Sequence, residues 1–399
     1  MTLLSSSSRL LVATLGTTLA ASPPLLVGGL ALFMQADLDF GAAQLGFSVG
    51  AFFVAAALAS IPAGLITGAR GPLAAIALGG TVTTVCLVSL AALAGSWLHL
   101  VALLSVCGAA SAVAQVGANH LIAVHVARSR QGIAFGFKQA AIPLAAVFSG
   151  FAVPLGYLVG WRAALVCFAL LSAALLAFSR KLSYAGGPSP RDLTSHRARD
   201  AGMPRLLERP FYLIALGGAI ASAAGNAPVV FLVHSLVAQG VAAEAAGLLL
   251  AIGSFSGLAV RVVGGWVADR ITFAALRLVA VLLCAGAVGN LLLAAWGSVP
   301  VVVAVVLLFG GGWGWPGLYW LGVARETKNS APKAFGVAQA GTFAGAVVGP
   351  VAFGVFAETA SVRGAWVMVA GGALIAAACM VAGQRSMLRR SVVVTVRSA

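Results

Sequence analysis

The chain has 399 residues, of which 61% are hydrophobic and only 8% charged, and its formal net charge is +15. A soluble domain carries about 25% charged residues, so no soluble core could bury this much apolar surface, and the composition indicates a membrane protein. The basic residues lie in short segments between apolar runs rather than on one soluble face, which argues against a nucleic acid partner.

Apolar runs long enough to cross a bilayer follow one another along the whole chain. Six lie near 10–34, 43–68, 73–95, 99–125, 133–158 and 162–180, and six more near 210–236, 243–267, 273–296, 300–323, 334–358 and 364–384. The first run is longer than the apolar core of a signal peptide, so we interpret it as an uncleaved helix. The pattern predicts an all-α membrane protein of about twelve transmembrane helices.

A polar stretch divides these runs into two sets. We predict an N-terminal six-helix bundle at 1–180, a cytoplasmic linker at 181–209, and a C-terminal six-helix bundle with a short cytoplasmic tail at 210–399. The residues AFGFKQA at 134–140 recur as AFGVAQA at 334–340, at the same point of the fifth and eleventh runs. Two pseudo-symmetric bundles in parallel orientation would produce such a repeat, whereas a chance match of short Ala/Gly-rich words is the alternative.

The distribution of charge between the runs predicts the orientation. With the N-terminus inside, nearly all basic residues fall in inward-facing segments, while the outward-facing ones keep only Arg162 and Arg363. This asymmetry is what the positive-inside rule requires. We therefore expect a multi-pass protein of the bacterial inner (plasma) membrane with both termini in the cytoplasm.

Residues 264–270, GGWVADR, stand between the eighth and ninth runs. They resemble the short cytoplasmic signature G-x-x-x-D-R of the major facilitator superfamily. The resemblance implies two bundles that rock about a central site, with Asp269 helping to lock the outward-open state. We assign gating roles to Gly265, Asp269, Arg270 and Arg261, and expect Arg261 to pair with Asp269 or to cap the gate. The corresponding loop at 64–70, GLITGAR, lacks the aspartate, so locking there would be weaker or carried by other residues.

Two further resemblances are narrower. Residues 345–350, GAVVGP, with Gly354, are similar to the glycine-proline motif of drug antiporters, but they lie in the eleventh run rather than the fifth. From this motif we predict helix packing and bending. Residues 138–139, 160–162 and 312–318 resemble segments of the cyanate/nitroimidazole transporter branch.

Lys138 is the most informative polar residue, because a charge inside a membrane helix is costly. One interpretation is a cavity cation that binds an anionic substrate. The alternative is a lysine whose long stem lets the ammonium reach the cytoplasmic surface. Gln139 beside it, and Gln339 at the repeated position, favour the first interpretation.

Other polar and aromatic residues are candidate substrate contacts. Gln115 and Asn119 are four residues apart in the fourth run, as are Ser222 and Asn226 in the seventh. Equally, such side chains could join helices by hydrogen bonds. Trp313 lies inside the tenth run beside Pro316, where we expect a bend and a gating or substrate contact.

The sequence places no Asp or Glu in the middle of any run. With Lys138 present, this favours a small anionic or polar organic solute, moved by a secondary active transporter through alternating access. Protons are a candidate coupling ion through His120 or His234. Drug or apolar-compound efflux is the alternative, and a non-transporting receptor or scaffold is a third possibility.

Several classes of activity lack a sequence signal. We find no P-loop, nucleophile–base set or metal-ligand spacing, so we expect no enzyme activity, no ATP as energy source, and no cofactor or metal. The expected partners are the substrate, protons and the lipid bilayer, with the chain acting as a monomer.

Overall fold

The structure is a computed structural model and describes residues 6–185, 209–270, 275–295, 301–327 and 331–398. Side chains at some positions within these helices, His234 among them, lie outside the description. Most of the predicted 181–209 linker also lies outside it, and the helix preceding the linker continues to Ala185.

The described residues from 6 to 185 form six α-helices. They are α1 (Ser6–Gly29), α2 (Ala31–Leu38), α3 (Ala42–Arg70), α4 (Pro72–Leu93), α5 (Trp97–His125) and α6 (Gln131–Ala185), with a 3₁₀ turn at Arg128–Arg130 before α6. Inside α6, Gly160 has φ 80°, a left-handed value that glycine adopts without steric cost. This residue separates α6 into two helical segments, as the predicted runs at 133–158 and 162–180 require.

The second part is helical in the same way. Its helices are α7 (Arg209–Val237), α8 (Ala243–Arg270), α9 (Ala275–Ala294), α10 (Val301–Gly312), α11 (Pro316–Glu326), α12 (Ala331–Thr359) and α13 (Val362–Ser398). Pro316 occupies the first position of α11, where its missing N–H costs nothing. The predicted tenth run is therefore broken at 313–315.

Eleven helical segments among the described residues are long and apolar enough to cross a membrane. The predicted run at 133–158 lies in the first segment of α6, some of whose side chains are outside the description. The predicted all-α membrane fold is confirmed.

The chain divides into two compact units. Unit 1 comprises the described parts of 1–128, 137–205 and 329–340, and unit 2 those of 129–136, 206–328 and 341–399. Unit 1 has a core that includes Phe52, Leu104 and Trp161, and unit 2 one that includes Phe309 and Trp366.

Glycines bring helix backbones together inside unit 2. On α12, Gly341, Gly345 and Gly349 recur every fourth residue and face the backbone of α7. A Cβ at Gly349 would lie 2.6 Å from the Cα atom of Ala223. Small residues permit this close approach, so the glycine-proline motif packs two helices, as its sequence predicts.

The repeated segment, residues 134–140 and 334–340, makes the same kind of helix contact at both of its occurrences. In unit 2, Gly136 at the start of α6 lies on the backbone of Arg261 in α8. In unit 1, Gly336 at the start of α12 lies on the backbone of Ser60 in α3. The third residue of each repeat thus supports the same kind of backbone contact.

Candidate functional site

Lys138 lies at the centre of a buried polar cluster in unit 1. It follows the start of α6 by seven residues, or about 10 Å along the helix axis. Its ammonium donates a hydrogen bond to Oε1 of Gln115 on α5, at 3.2 Å, and one to Oε1 of Gln139, at 3.5 Å. The side chain is 0% exposed, so it does not extend to the surface.

The electrostatic situation of this lysine is unusual for a membrane helix. An ammonium removed from water requires compensating partners, and the partners that the two glutamines supply are neutral amide oxygens. Gln115 and Gln139 are themselves buried, with 6% and 4% exposure. The structure therefore joins three of the predicted substrate residues, and their arrangement suits the binding of a negatively charged group.

A row of buried polar side chains runs along α5 through this cluster. Ser111, Gln115 and Asn119 follow one another at intervals of four residues, so they lie on the same side of the helix. Both polar side-chain atoms of Asn119 and the hydroxyl of Ser111 are buried without a hydrogen-bond partner in the described part of the chain. Ser111 was not among the predicted substrate residues, although its spacing of four from Gln115 is visible in the sequence.

The polar pair on α7, Ser222 and Asn226, makes its hydrogen bonds within unit 2. The hydroxyl of Ser222 donates to the carbonyl oxygen of Thr342 on α12, at 2.7 Å. Asn226 donates to the Ser222 carbonyl oxygen, at 2.8 Å, and to the Ser222 hydroxyl, at 3.2 Å. The Ser222 bond joins two helices of unit 2, as the alternative of interhelical bonding expects, whereas both Asn226 bonds stay within α7. Gln339 is buried in unit 1 on α12.

Arg261 and Trp313 form a second buried pair, within unit 2. The guanidinium of Arg261 donates to the Trp313 carbonyl oxygen, at 3.1 Å, and its central carbon lies 4.1 Å from the centre of the Trp313 ring. The carbonyl is available because α10 ends just before it, at Gly312. Stacking on an indole face is a favoured arrangement for a desolvated guanidinium.

Asp269, at the end of α8, caps the start of α6 within unit 2. Its carboxylate oxygens accept hydrogen bonds from the backbone amides of Gly132, at 2.7 Å, and Ile133, at 2.8 Å. Arg325 lies 3.4 Å away on α11. The first amides of a helix lack partners within the helix, and its positive end favours an anion.

Of the two roles expected for Arg261, the ion pair with Asp269 is not among the contacts of the described residues, and the cap of the gate stays a prediction. The carboxylate is bound by backbone amides and by Arg325. Eight residues, or about 12 Å along the helix, separate Arg261 from Asp269. Arg270 also faces elsewhere, because its guanidinium carbon lies 3.8 Å from the centre of the Trp266 ring.

Gly265 explains how α6 comes close enough for this cap. A Cβ at Gly265 would lie 2.7 Å from the carbonyl carbon of Gly132, which is closer than real Cβ atoms approach other atoms. The glycine and the aspartate of the signature therefore serve one contact, the first by removing bulk and the second by capping.

A separate pocket of about 450 Å³ contains none of the predicted substrate residues. It lies in unit 1 and is lined by Phe33, Ala36, Asp37, Gly160, Trp161 and Arg162. There the carboxylate of Asp37 accepts hydrogen bonds from the side chains of Trp161 and Arg162.

Solved structures with the same fold are transport proteins. The proton:xylose symporter XylE bound to 6-bromo-6-deoxy-D-glucose has a TM-score of 0.75 and 14% identity, over 94% of this chain and 95% of that one. The Escherichia coli fucose:proton symporter FucP has a TM-score of 0.69 and 16% identity, over 94% and 97%. FucP in the outward conformation gives 0.66 and 16%, over 93% and 97%.

Two comparisons of the sequence itself give different results. A search of curated protein sequences gives no match. The family model described as Major Facilitator Superfamily matches residues 10–328. The chain therefore belongs to the major facilitator superfamily and is a membrane transporter rather than an enzyme.

Proposed function

We propose that this protein is a secondary transporter that carries a small anionic or polar organic solute across the bacterial inner membrane by alternating access. Lys138, Gln115 and Gln139 bind the negatively charged or polar group of the solute. The two bundles that rock about the site are residues 1–180 and 210–399, and residues 181–209 connect them in the cytoplasm.

One observation carries the choice of an anionic group. The ammonium of Lys138 is completely buried and is hydrogen-bonded to the neutral amide oxygens of Gln115 and Gln139. A buried charge is retained in a membrane helix where it serves a function. The absence of Asp and Glu from the middle of the apolar runs supports the same choice, since a carrier of cations needs such a carboxylate.

The gate involves Asp269 and Gly265. The contact of Asp269 with the first amides of α6 would form in one conformational state and break in another. A capping contact is suited to such a role, because it contributes only about 0.5–2 kcal/mol and can be exchanged. Arg261 and Arg270 support the gate through their indole contacts.

Protons are the proposed coupling ion. The proteins of known structure described above include a proton:xylose symporter and a fucose:proton symporter, which supports a polar solute moved together with protons. His120 is a candidate carrier on α5, since an imidazole can accept and release a proton.

The remaining assignments rest on sequence patterns. Both termini lie in the cytoplasm, as the distribution of basic residues supports, and the protein acts as a monomer. Membership of the cyanate/nitroimidazole branch is supported by the segments near 138, 160 and 312. Efflux of apolar drugs has less support, because Trp315, Tyr319 and Trp320 are buried aromatic side chains of the transporter interior.

Uptake into proteoliposomes tests the proposal. Labelled hydrophilic carboxylates are offered to vesicles that contain the wild type or the Lys138→Ala variant, with protein-free vesicles as the background. We expect the wild type to accumulate carboxylates and the variant to lose most of this uptake. Equal anion uptake by the two proteins would remove Lys138 from the site.

A further inference from the structure

The polar row on α5 extends beyond the groups that a carboxylate alone would use. Gln115 is occupied by the Lys138 ammonium. Asn119 lies one turn further along α5 and is 0% exposed, yet neither its Nδ2 nor its Oδ1 atom has a partner among the described residues. The hydroxyl of Ser111, one turn away in the other direction, is in the same situation.

Buried polar atoms without hydrogen bonds lower the stability of the folded protein. A buried polar atom without a hydrogen bond costs about 1–3 kcal/mol, and lipid supplies no partner. An apolar side chain at position 119 would avoid this cost. Unpartnered polar groups in a native structure therefore require an explanation, and beside a substrate site the simplest one is a ligand that bonds to them.

The chemistry of the row specifies the ligand. The carboxamide of Asn119 offers two donors and an acceptor, and the hydroxyl of Ser111 offers one donor and an acceptor. A hydroxyl group on the ligand complements both, because it also donates and accepts. A second charged group does not, since these side chains carry no charge to compensate for its desolvation.

The spacing of the polar residues along α5 also indicates the length of the ligand. Asn119 is four residues from Gln115, or about 6 Å along the helix axis, and Ser111 is the same distance away on the other side. For a carboxylate at the Lys138 ammonium, the next polar partners along α5 are thus about 6 Å away, which is the distance that a short hydroxylated carbon chain spans.

We propose that the substrate is a small polyhydroxy carboxylate, an acid with several hydroxyl groups along its carbon chain. Lys138 binds its carboxylate and Asn119 binds hydroxyls along its chain, while Ser111, on the other side of Gln115, binds only the hydroxyl nearest the carboxylate. This inference rests on the proposed function, because it takes Lys138 as the substrate cation.

Binding of a matched pair of acids tests the inference. Gluconate and hexanoate have the same number of carbons and the same charge, but only gluconate carries hydroxyls. Their dissociation constants are measured with the detergent-solubilised transporter from the ligand-dependent rise of its unfolding midpoint. We expect the wild type to bind gluconate at least about tenfold more tightly, since a site built for hydroxyls rejects an analogue that lacks them.

Variants localise the preference. In Asn119→Leu the ratio of the two constants should fall towards one while hexanoate binding is retained, and Ser111→Ala should reduce the ratio more weakly. Asn290→Leu is the control, since Asn290 is equally buried but lies in unit 2, outside the proposed site, and its Nδ2 atom bonds to the Gly286 carbonyl oxygen in α9. Its ratio should equal that of the wild type.

Stability of the ligand-free protein gives an independent readout. Because Asn119 has unpartnered atoms, Asn119→Leu should unfold at the same temperature as the wild type or a higher one. A lower midpoint would show that Asn119 has a structural partner, and it would overturn the inference.

The remaining outcomes are also decisive. Equal binding of the two acids by the wild type would overturn the inference while leaving an anionic substrate in place. An unchanged ratio in Asn119→Leu would indicate that water rather than substrate occupies the row, and would overturn it too. If neither acid binds in a manner that depends on Lys138, the proposed function itself fails.

Discussion

The Nζ atom of Lys138 lies 3.2 Å from the Oε1 atom of Gln115, and both side chains are buried between α5 and α6 of unit 1. The bond holds a flexible ammonium in one place. A lysine side chain loses considerable rotamer freedom when it is fixed, so a partner that fixes it in advance lowers the cost of binding a substrate.

Gln115→Ala should therefore weaken carboxylate binding through Lys138. Hydrogen bonds to charged groups contribute about 1.5–3 kcal/mol, which corresponds to a loss of about tenfold or more in affinity. In a Lys138→Ala background the same change should have a smaller effect, because the part of the loss that acts through Lys138 is already gone. A double-mutant cycle on the dissociation constant measures this, and strictly additive effects would contradict the pairing.

Removal of the Asp269 carboxylate should expose the start of α6. We expect Asp269→Ala to lower the free energy of unfolding by about 1 kcal/mol, since this is the typical cost of losing an N-terminal cap. Asn retains one acceptor oxygen, so Asp269→Asn should lose less. Thermal unfolding in detergent provides the comparison. Arg270→Ala is the control because Arg270 contacts Trp266, and an equal loss in that variant would argue against the cap.

Adjacent glycines offer a matched test of close packing. A Cβ at Gly265 would meet the Gly132 carbonyl carbon at 2.7 Å, whereas one at Gly264 would lie 3.5 Å from the nearest atom of Leu318. Gly265→Ala should therefore lower both stability and transport rate. Gly264→Ala should match or exceed the wild type in stability, because alanine is favoured over glycine in a helix by about 0.5–1 kcal/mol. Similar behaviour of the two variants would show that the α6–α8 contact does not limit size.

The Asp37–Arg162 ion pair predicts a dependence of stability on pH. Hydrogen bonds from the side chains of Arg162 and Trp161 lower the pKa of Asp37 below its usual 3.8. A lowered folded pKa stabilises the protein above the ordinary value, and the contribution disappears as the pH falls through the lowered pKa. Since both side chains are nearly half exposed, at 44% and 45%, the effect should be small.

Asp37→Asn tests this pair. At about pH 7 the variant should unfold at a slightly lower temperature than the wild type, and the difference should shrink as the pH falls through the lowered pKa of Asp37. Thermal unfolding over this range measures the difference. A gap between the two proteins that persists unchanged in acid would mean that the charge of Asp37 contributes nothing.

The membrane helices were predictable because their signal is local. A run of about 20 apolar residues specifies a spanning helix whatever its neighbours are. Lys138 could be selected as a candidate from the sequence for a related reason. A charged residue within an apolar run is costly in lipid, and this can be recognised from a single position. The break near Trp313 was predictable from Pro316.

The partners of these residues were not predictable, because they depend on packing between distant segments. The sequence signature contains Asp269, but the groups that donate hydrogen bonds to its carboxylate are backbone amides 136 and 137 residues away. No pattern of side chains in the sequence indicates such amides. Likewise, Arg261 bonds to a carbonyl that is available only where α10 ends. The bond of Ser222 to Thr342 likewise depends on the packing of α7 against α12, whereas the bonds of Asn226 to Ser222 follow from a spacing of four within one helix.

The saturation curve of carboxylate uptake tests the central claim most directly. Proteoliposomes with the wild type, Lys138→Ala and Lys333→Ala are compared at equal protein content, since Lys333 is a half-buried lysine at the start of α12. The account predicts that Lys138→Ala lowers uptake efficiency at least about tenfold, whereas Lys333→Ala retains it. Equal curves for the wild type and Lys138→Ala would contradict the account.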